Sequence, residues 1–252
     1  LDGQNGELIS NGALNLRGDF VNLDGANTSA KALNINSKIL SSVGGRLIQT
    51  GDGDMALVAT DKLDNTNGLI ATNAANLAIE TQNLINKSSG LNEKSEANTA
   101  QIQHAGTGAF NLAAKLLDGQ NGELISNGVL NLQGEVVNLN GANTSAKSLN
   151  TNSKILSNLG GSLIQTGTEA GSITVTEGLN NAQGVLVSNG DLALTVGSLD
   201  NTDGTIQAGG LLAQGEGEEP IELLGNLTLT ATGLVNNAGG SVSAQGEVTV
   251  KA

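Results

Sequence analysis

The sequence predicts an all-β fold, a right-handed parallel β-helix (solenoid) of about eleven coils that runs through residues 1–252 as one repeat segment. Three observations predict it. Leucine-led units tile the chain, beginning at Leu1, Leu23, Leu40, Leu63, Leu84, Leu117, Leu139, Leu156, Leu179, Leu199 and Leu234. Eight of these units carry glycine at their sixth position, as in LDGQNG (1–6), LDNTNG (63–68) and LDNTDG (199–204). Between the glycines, apolar and polar residues alternate, as in Leu14-Asn-Leu16, Leu130-Asn-Leu132 and Val248-Thr-Val250.

The elements follow in order along each unit. The opening hexapeptide is a leucine anchor and a corner, because Asn, Asp and Gly tolerate left-handed backbone angles and close turns with local hydrogen bonds. An apolar eighth position comes next: Leu8, Leu47, Ile70, Leu124, Leu163, Leu186 and Ile206, with Val242 one place later behind an inserted Gly240. A second turn then leads into the strictly alternating stretch, whose period of two marks a strand with one buried face. Each unit thus supplies two or three strands of three to five residues, too short to fold alone. Stacked about 4.8 Å apart they share a continuous core, and eleven coils make a rod on the order of 50 Å long. The right-handed crossover is the general expectation for parallel strands.

A longer repeat lies over the short one. Residues 1–51 align without a gap on 117–167, and 41 of the 51 positions are identical. Two segments break the pattern and are expected to leave the rod as loops or hairpins: one near 87–108, the other near 213–222. Asn65, Asn181, Asn201 and Asn236, at third positions of their hexapeptides, are expected to stack their amides along the axis. Gly3 and Gly119 interrupt that set.

Composition sets further limits. Aromatic residues make up 1% of the chain and there is one proline, which suits a narrow interior of aliphatic side chains and a backbone committed to ladders. No apolar run approaches the roughly 20 residues of a membrane helix, and the aromatic girdles of a membrane barrel are missing, so the chain is not expected to span a membrane. A net charge of −13 argues against nucleic acid as a partner. The absence of cysteine suits a long exported chain. Leu1 begins in mid-pattern, neither end carries a polar capping unit, and the chain reads as a fragment of a longer array.

The pattern Leu-Asp-Asn-x-x-Gly-x-Ile followed by Gly-x-Leu-x-Leu, best seen at 63–71 and 199–208, resembles the repeats of filamentous haemagglutinin. Those repeats build the shafts of two-partner-secretion exoproteins, including adhesins and contact-dependent growth-inhibition effectors. The resemblance covers nearly the whole chain. It implies export through an outer-membrane secretion pore and a secreted, bacterial cell-surface location. It also implies a structural shaft that projects a distal adhesive or toxin-delivery region. The alternative is an adhesin module that binds a host or target-cell receptor or glycan through its inserted loops.

Arg17-Gly18-Asp19 is a tripeptide that integrins recognise, and it is the one possible adhesion site. The duplicate copy has Gln133-Gly134-Glu135 there, so the scaffold does not require it. Glu216, Glu218, Glu219 and Glu222, and Gly51-Asp52-Gly53-Asp54, offer oxygen ligands but lack the spacing of a calcium repeat, and no metal or other cofactor is expected. His104, the single histidine, reads as an exposed loop residue. Four Asn-x-Ser/Thr triplets, at Asn27, Asn86, Asn143 and Asn226, are chance matches in an Asn-rich chain. Asp2, Asp64, Asp118 and Asp200 recur at a turn position, and without Trp or Tyr the chain lacks the platforms of a carbohydrate-cleaving β-helix. No catalysis is expected, and no catalytic residues are assigned.

Overall fold

A computed structural model describes residues 1–90, 98–212 and 221–251. Among the described residues there is no helix, and nineteen strands join in one sheet whose neighbours pair in parallel. The ladders connect each coil to the next. Val21 lies opposite Leu40, Leu40 opposite Leu63, Leu63 opposite Leu84, and Leu84 opposite Leu117. The column continues through Val137, Leu156, Leu179, Leu199 and Val235. With Leu1, joined through the Asp2–Asn22 bridge, these residues give eleven coils in one file.

This register corrects three of the expected unit starts. Leu23 and Leu139 are buried, but they stand at the third position of coils that begin at Val21 and Val137. Leu234 is 76% exposed, and the neighbouring Val235 stacks on Leu199. The last hexapeptide is therefore Val235-Asn236-Asn237-Ala238-Gly239-Gly240. Gly240 is its ordinary sixth residue and not an insertion, and Val242 takes the eighth position opposite Ile206. Valine and leucine fill the inward space comparably, so side-chain identity alone misplaced these starts, and the backbone register decides.

The core is a set of such piles. One runs Leu16, Ile35, Leu57, Ile79, Leu112, Leu132, Thr151, Ile173, Leu194, Leu229 and Val250, each opposite the next. Each fully buried aliphatic side chain contributes roughly 1.5–3 kcal/mol, so a coil with a few of them depends on its neighbours. Both end residues of the leading column are less covered than those between, Leu1 being 52% exposed.

Strands are longer than the three to five residues expected. Glu7–Asn22 and Glu123–Asn138 have 16 residues each, and Asn27–Ser41 and Asn143–Ser157 have 15. The backbone stays extended through the gentler corners, so pairing continues there with local register shifts, for example between Ser10 and Ala13 and between Ser37 and Ile39.

The sharp corner has a fixed construction. The sixth-position N–H donates to the third-position carbonyl, as Gly68 does to Asn65 at 3.0 Å and Gly204 to Asn201 at 3.0 Å. The fifth residue has positive φ: Asn5, Gly25, Gly44, Asn67, Asn121, Gly141, Gly160, Gln183, Asp203 and Gly239 all lie between 53° and 69°. This is the left-handed third residue that a type II turn needs. The sixth-position glycine serves another purpose. A Cβ at Gly45, Gly68 or Gly204 would run into the third-position carbonyl of the preceding coil. Left-handed tolerance thus explains the fifth position, and close coil-to-coil approach explains the sixth where it is glycine; Ala26, Ala100 and Ala142 fill it in three other coils.

The first excursion is narrower than its sequence suggests, and the second is slightly wider. Gln101–His104 lies within the rod, between Leu69–Thr72 and Glu123–Ser126, and Ala100 takes the buried sixth position. Ser88 and Ala100 adjoin, the Ala100 N–H donating to Ser88 Oγ at 2.8 Å, and residues 91–97 lie outside the described residues. Near the second excursion, Gly210–Leu212 and Ile221–Leu223 pair antiparallel in a separate two-stranded sheet, the base of a hairpin off the rod.

Candidate functional site: the corner ladder and the exposed strand faces

The corner brings amides together along the axis. Asn65 Nδ2 donates to Asn86 Oδ1 at 2.7 Å. Asn158 donates to Asn181 at 2.7 Å, Asn181 to Asn201 at 2.7 Å, and Asn201 to Asn237 at 2.6 Å. Asn65, Asn86, Asn158, Asn181 and Asn201 are fully buried. Three of the four residues expected in this ladder are in it. Asn236 is not, because the corrected register puts it at the second position and Asn237 at the third. Asn86 and Asn158 were missed, although the same third-position count from Leu84 and Leu156 finds them. Leu139 and Ser42 precede the two runs. Asn65 Oδ1, Asn158 Oδ1 and Ser42 Oγ are buried with no hydrogen-bond partner.

The recurrent aspartates belong to the turn. Asp64 Oδ1 accepts from the Thr66 N–H at 3.0 Å and the Thr66 hydroxyl at 2.7 Å, and Asp200 accepts from the corresponding groups of Thr202 at 3.1 and 2.6 Å. Asn22, Asn138, Asn180 and Asn236 do the same with their own second residue on. These are side-chain turns that cap the corner. Burial raises the Asp64 carboxyl, but hydrogen bonds from Lys62 and Thr66 outweigh it and hold the group below the ordinary aspartate value. Asp200 is likewise lowered, chiefly by the Thr202 hydroxyl and N–H.

His104 corrects its expected place in an exposed loop. It is 1% exposed and sits at the tenth position of its coil, the column that also holds buried Gln49 and Gln165. Its Nδ1 lies 3.0 Å from Ser126 Oγ and its Nε2 3.1 Å from the Ala74 carbonyl. A carbonyl only accepts, so Nε2 carries the proton and Nδ1 accepts from the Ser126 hydroxyl. Burial lowers its pKa below 6.5 against these contacts, favouring the neutral ring.

Arg17, Gly18 and Asp19 lie within the strand Glu7–Asn22, with Arg17 opposite Asn36 and Gly18 opposite Ser37. All three are exposed, and Asp19 pairs with Lys38 at 3.3 Å. The triplet stands on a flat strand face and not on a projecting loop. Asp54 caps the neighbouring coil by accepting from the Asn76 N–H and amide. Glu216, Glu218 and Glu219 lie outside the described residues. Among the described residues there is no group of three or more His, Cys, Asp or Glu side chains placed to hold a metal ion. Of the four Asn-x-Ser/Thr triplets, Asn86 is consumed by the ladder. No helix among the described residues is long and apolar enough to cross a membrane.

The haemagglutinin repeat matches residues 1–67, 97–168, 168–215 and 224–252. The chain belongs to the haemagglutinin repeat family. Among curated proteins, the tRNA nuclease CdiA-2 of Burkholderia pseudomallei (strain 1026b) is 34% identical over 92 residues, which are 35% of this chain and 3% of that protein. The haemagglutinin-repeat chain thus spans a small part of the curated relative it matches. No solved structure matches it. Family and relative together identify a shaft segment of a two-partner-secretion exoprotein, secreted and exposed at the cell surface.

Proposed function

We propose that this segment is a rigid spacer that projects a distal adhesive or toxin-delivery region from the cell, and that it performs no catalysis of its own. The observation that carries this reading is the unbroken leading column from Leu1 to Val235, which both excursions leave without interrupting. A spacer needs length and stiffness per residue, and a column of ladders and buried side chains supplies both. The tRNA nuclease activity in the relative's name is that protein's, and the match covers 3% of its length. Export would use an outer-membrane transporter partner, in keeping with the two-partner family.

Removing one whole coil, residues 137–155, from the parent exoprotein tests the spacer. The neighbouring leading residues, Leu117 and Leu156, then stack directly. The fibre is expected to shorten by about 4.8 Å with distal activity intact. Loss of distal activity with export and folding preserved would overturn the reading.

A second reading, an adhesin module, has one observation in its favour: the side chains of Arg17 and Asp19 are exposed on one strand face. A glycan array and an integrin-dependent adhesion assay probe it directly.

A further inference from the structure

One exposed face of the rod carries two adjoining files of side chains that read the same way in a second copy turned upside down. The first is the residue two places before each coil's leading residue: Asp19, Lys38, Asp61, Gln82, Lys115, Glu135, Lys154 and Glu177. Its charges alternate from coil to coil, broken only at Gln82. Lys38 bonds Asp19 at 3.3 Å, and Glu135 is shared between Lys115 at 3.9 Å and Lys154 at 3.3 Å. The second file lies beside it. Phe20 is opposite Ile39, Ile39 opposite Lys62, Lys62 opposite Asn83, and Asn83 opposite Leu116. Val136 and Ile155 follow. Phe20, Leu116 and Ile155 are 48%, 44% and 40% exposed, large apolar side chains that no part of the described rod covers.

We propose that two copies of this chain associate side by side and antiparallel through this face, about a two-fold axis that passes through Gln82. The axis runs perpendicular to the rod and sets each file against itself in reverse. Asp19 then meets Lys154 of the second copy, Lys38 meets Glu135, and Asp61 meets Lys115. In the apolar file Phe20 meets Ile155 and Ile39 meets Val136. Leu116 meets the stem of Lys62, whose ammonium is turned to Asp64 at 2.9 Å. Every charge of the first file in these seven coils finds its opposite.

The adjacent registers fail on charge. A slip of one coil sets Asp19 against Glu135 or Glu177, and Lys38 against Lys115 or Lys154. A two-fold parallel to the rod sets each charge against its own copy. The contact is isologous and therefore closes at two copies. Seven coils span about 30 Å, a contact of the weak, transient class whose partner choice and register come from electrostatics.

The chain has no cysteine, so single substitutions report register cleanly. The Gln82→Cys chain, treated with a short bifunctional thiol crosslinker at low salt, is expected to give a covalent dimer. Glu177→Cys, in the same file but eight coil steps, about 38 Å, from its own copy in this register, is expected to give none. Asp19→Cys and Lys154→Cys are expected to crosslink when mixed and not separately. Salt near 1 M is expected to suppress all of these, because it screens exposed charges beyond a few ångströms. Lys154→Glu is expected to weaken self-association about tenfold in sedimentation, and restoring the pair with Asp19→Lys to recover it. All four sites are on the surface, and circular dichroism checks that the rod is intact. A chain that sediments as a monomer at every concentration in low salt overturns the proposal. So does crosslinking of Glu177→Cys as fast as Gln82→Cys, or of Asp19→Cys with itself.

Discussion

Ser42→Asn is expected to stabilise the protein, because it extends the amide ladder by one rung. Ser42 occupies the third position of its coil, directly before Asn65, and both Ser42 Oγ and Asn65 Oδ1 are buried without a partner. The duplicate copy holds the answer to whether an amide fits. There the equivalent residue is Asn158, and its Nδ2 donates to Asn181 at 2.7 Å. The surroundings are the same in the two copies: Leu23 or Leu139, Ala26 or Ala142, Gly45 or Gly161, and Asn65 or Asn181. Pairing the buried Asn65 Oδ1 contributes about 1–2 kcal/mol, the new rung's own carbonyl oxygen being left as Asn158 Oδ1 is in the duplicate. The reciprocal change, Asn158→Ser, removes the donor to Asn181 Oδ1 and is expected to cost about the same. Urea denaturation of both variants, followed by circular dichroism with the slope unchanged, measures this. A Ser42→Asn midpoint at or below that of the parent, or both variants moving in one direction, would refute the ladder as a source of stability.

Other expectations rest on separate observations. His104 is buried with its pKa lowered, so stability is complete above about pH 6.5 and declines as the pH falls below it, because the unfolded chain takes up the proton more readily. His104→Gln, borrowing the residue that Gln49 and Gln165 place in the same column, is expected to flatten that decline in denaturation measured between pH 7.5 and pH 5. Gly68→Ala places a Cβ 2.5 Å from Asn65 Oδ1 and against the Ser42 carbonyl, and is expected to cost about 1–3 kcal/mol in thermal unfolding. Gly53→Ala, with nothing within 4 Å, is expected to change stability by less than about 0.5 kcal/mol. Asp19→Glu keeps the charge that pairs with Lys38 and alters only the tripeptide. Adhesion of integrin-bearing cells unchanged by it removes the adhesive reading of Arg17-Gly18-Asp19.

Coil number, parallel stacking and the corner were legible because each is repeated, and repetition averages out the ambiguity of any one unit. Exact phase was not legible where Val21, Val137 and Val235 take the inward position, because an adjacent leucine mimicked the anchor. The better marker is the left-handed fifth position: Asn, Gly, Gln or Asp there fixes the register even when the anchor is a valine. His104 was misread for a related reason. The polar composition of 87–108 concealed Gln101-Ile102-Gln103-His104, a strand whose tenth-position side chain is polar and buried, as Gln49 and Gln165 already are in other coils. The orphaned ends of the amide runs could not be read at all, since they depend on which side chain lies one coil below.

Distances between fourth-position residues test the stacking most directly. Gln4, Ala182 and Ala238 belong to one file, and their neighbours in the hydrogen-bond ladder count eight coil steps from Gln4 to Ala182 and ten to Ala238. Spin labels on Gln4→Cys with Ala182→Cys, and on Gln4→Cys with Ala238→Cys, are expected to lie about 38 and about 48 Å apart by pulsed electron resonance, at about 4.8 Å per coil. The 36-residue coil that separates Asp200 from Asn236 counts as one step. Equal or shorter separation for the second pair, or a spacing that scales with residues and not with coils, would contradict a rod built of stacked turns.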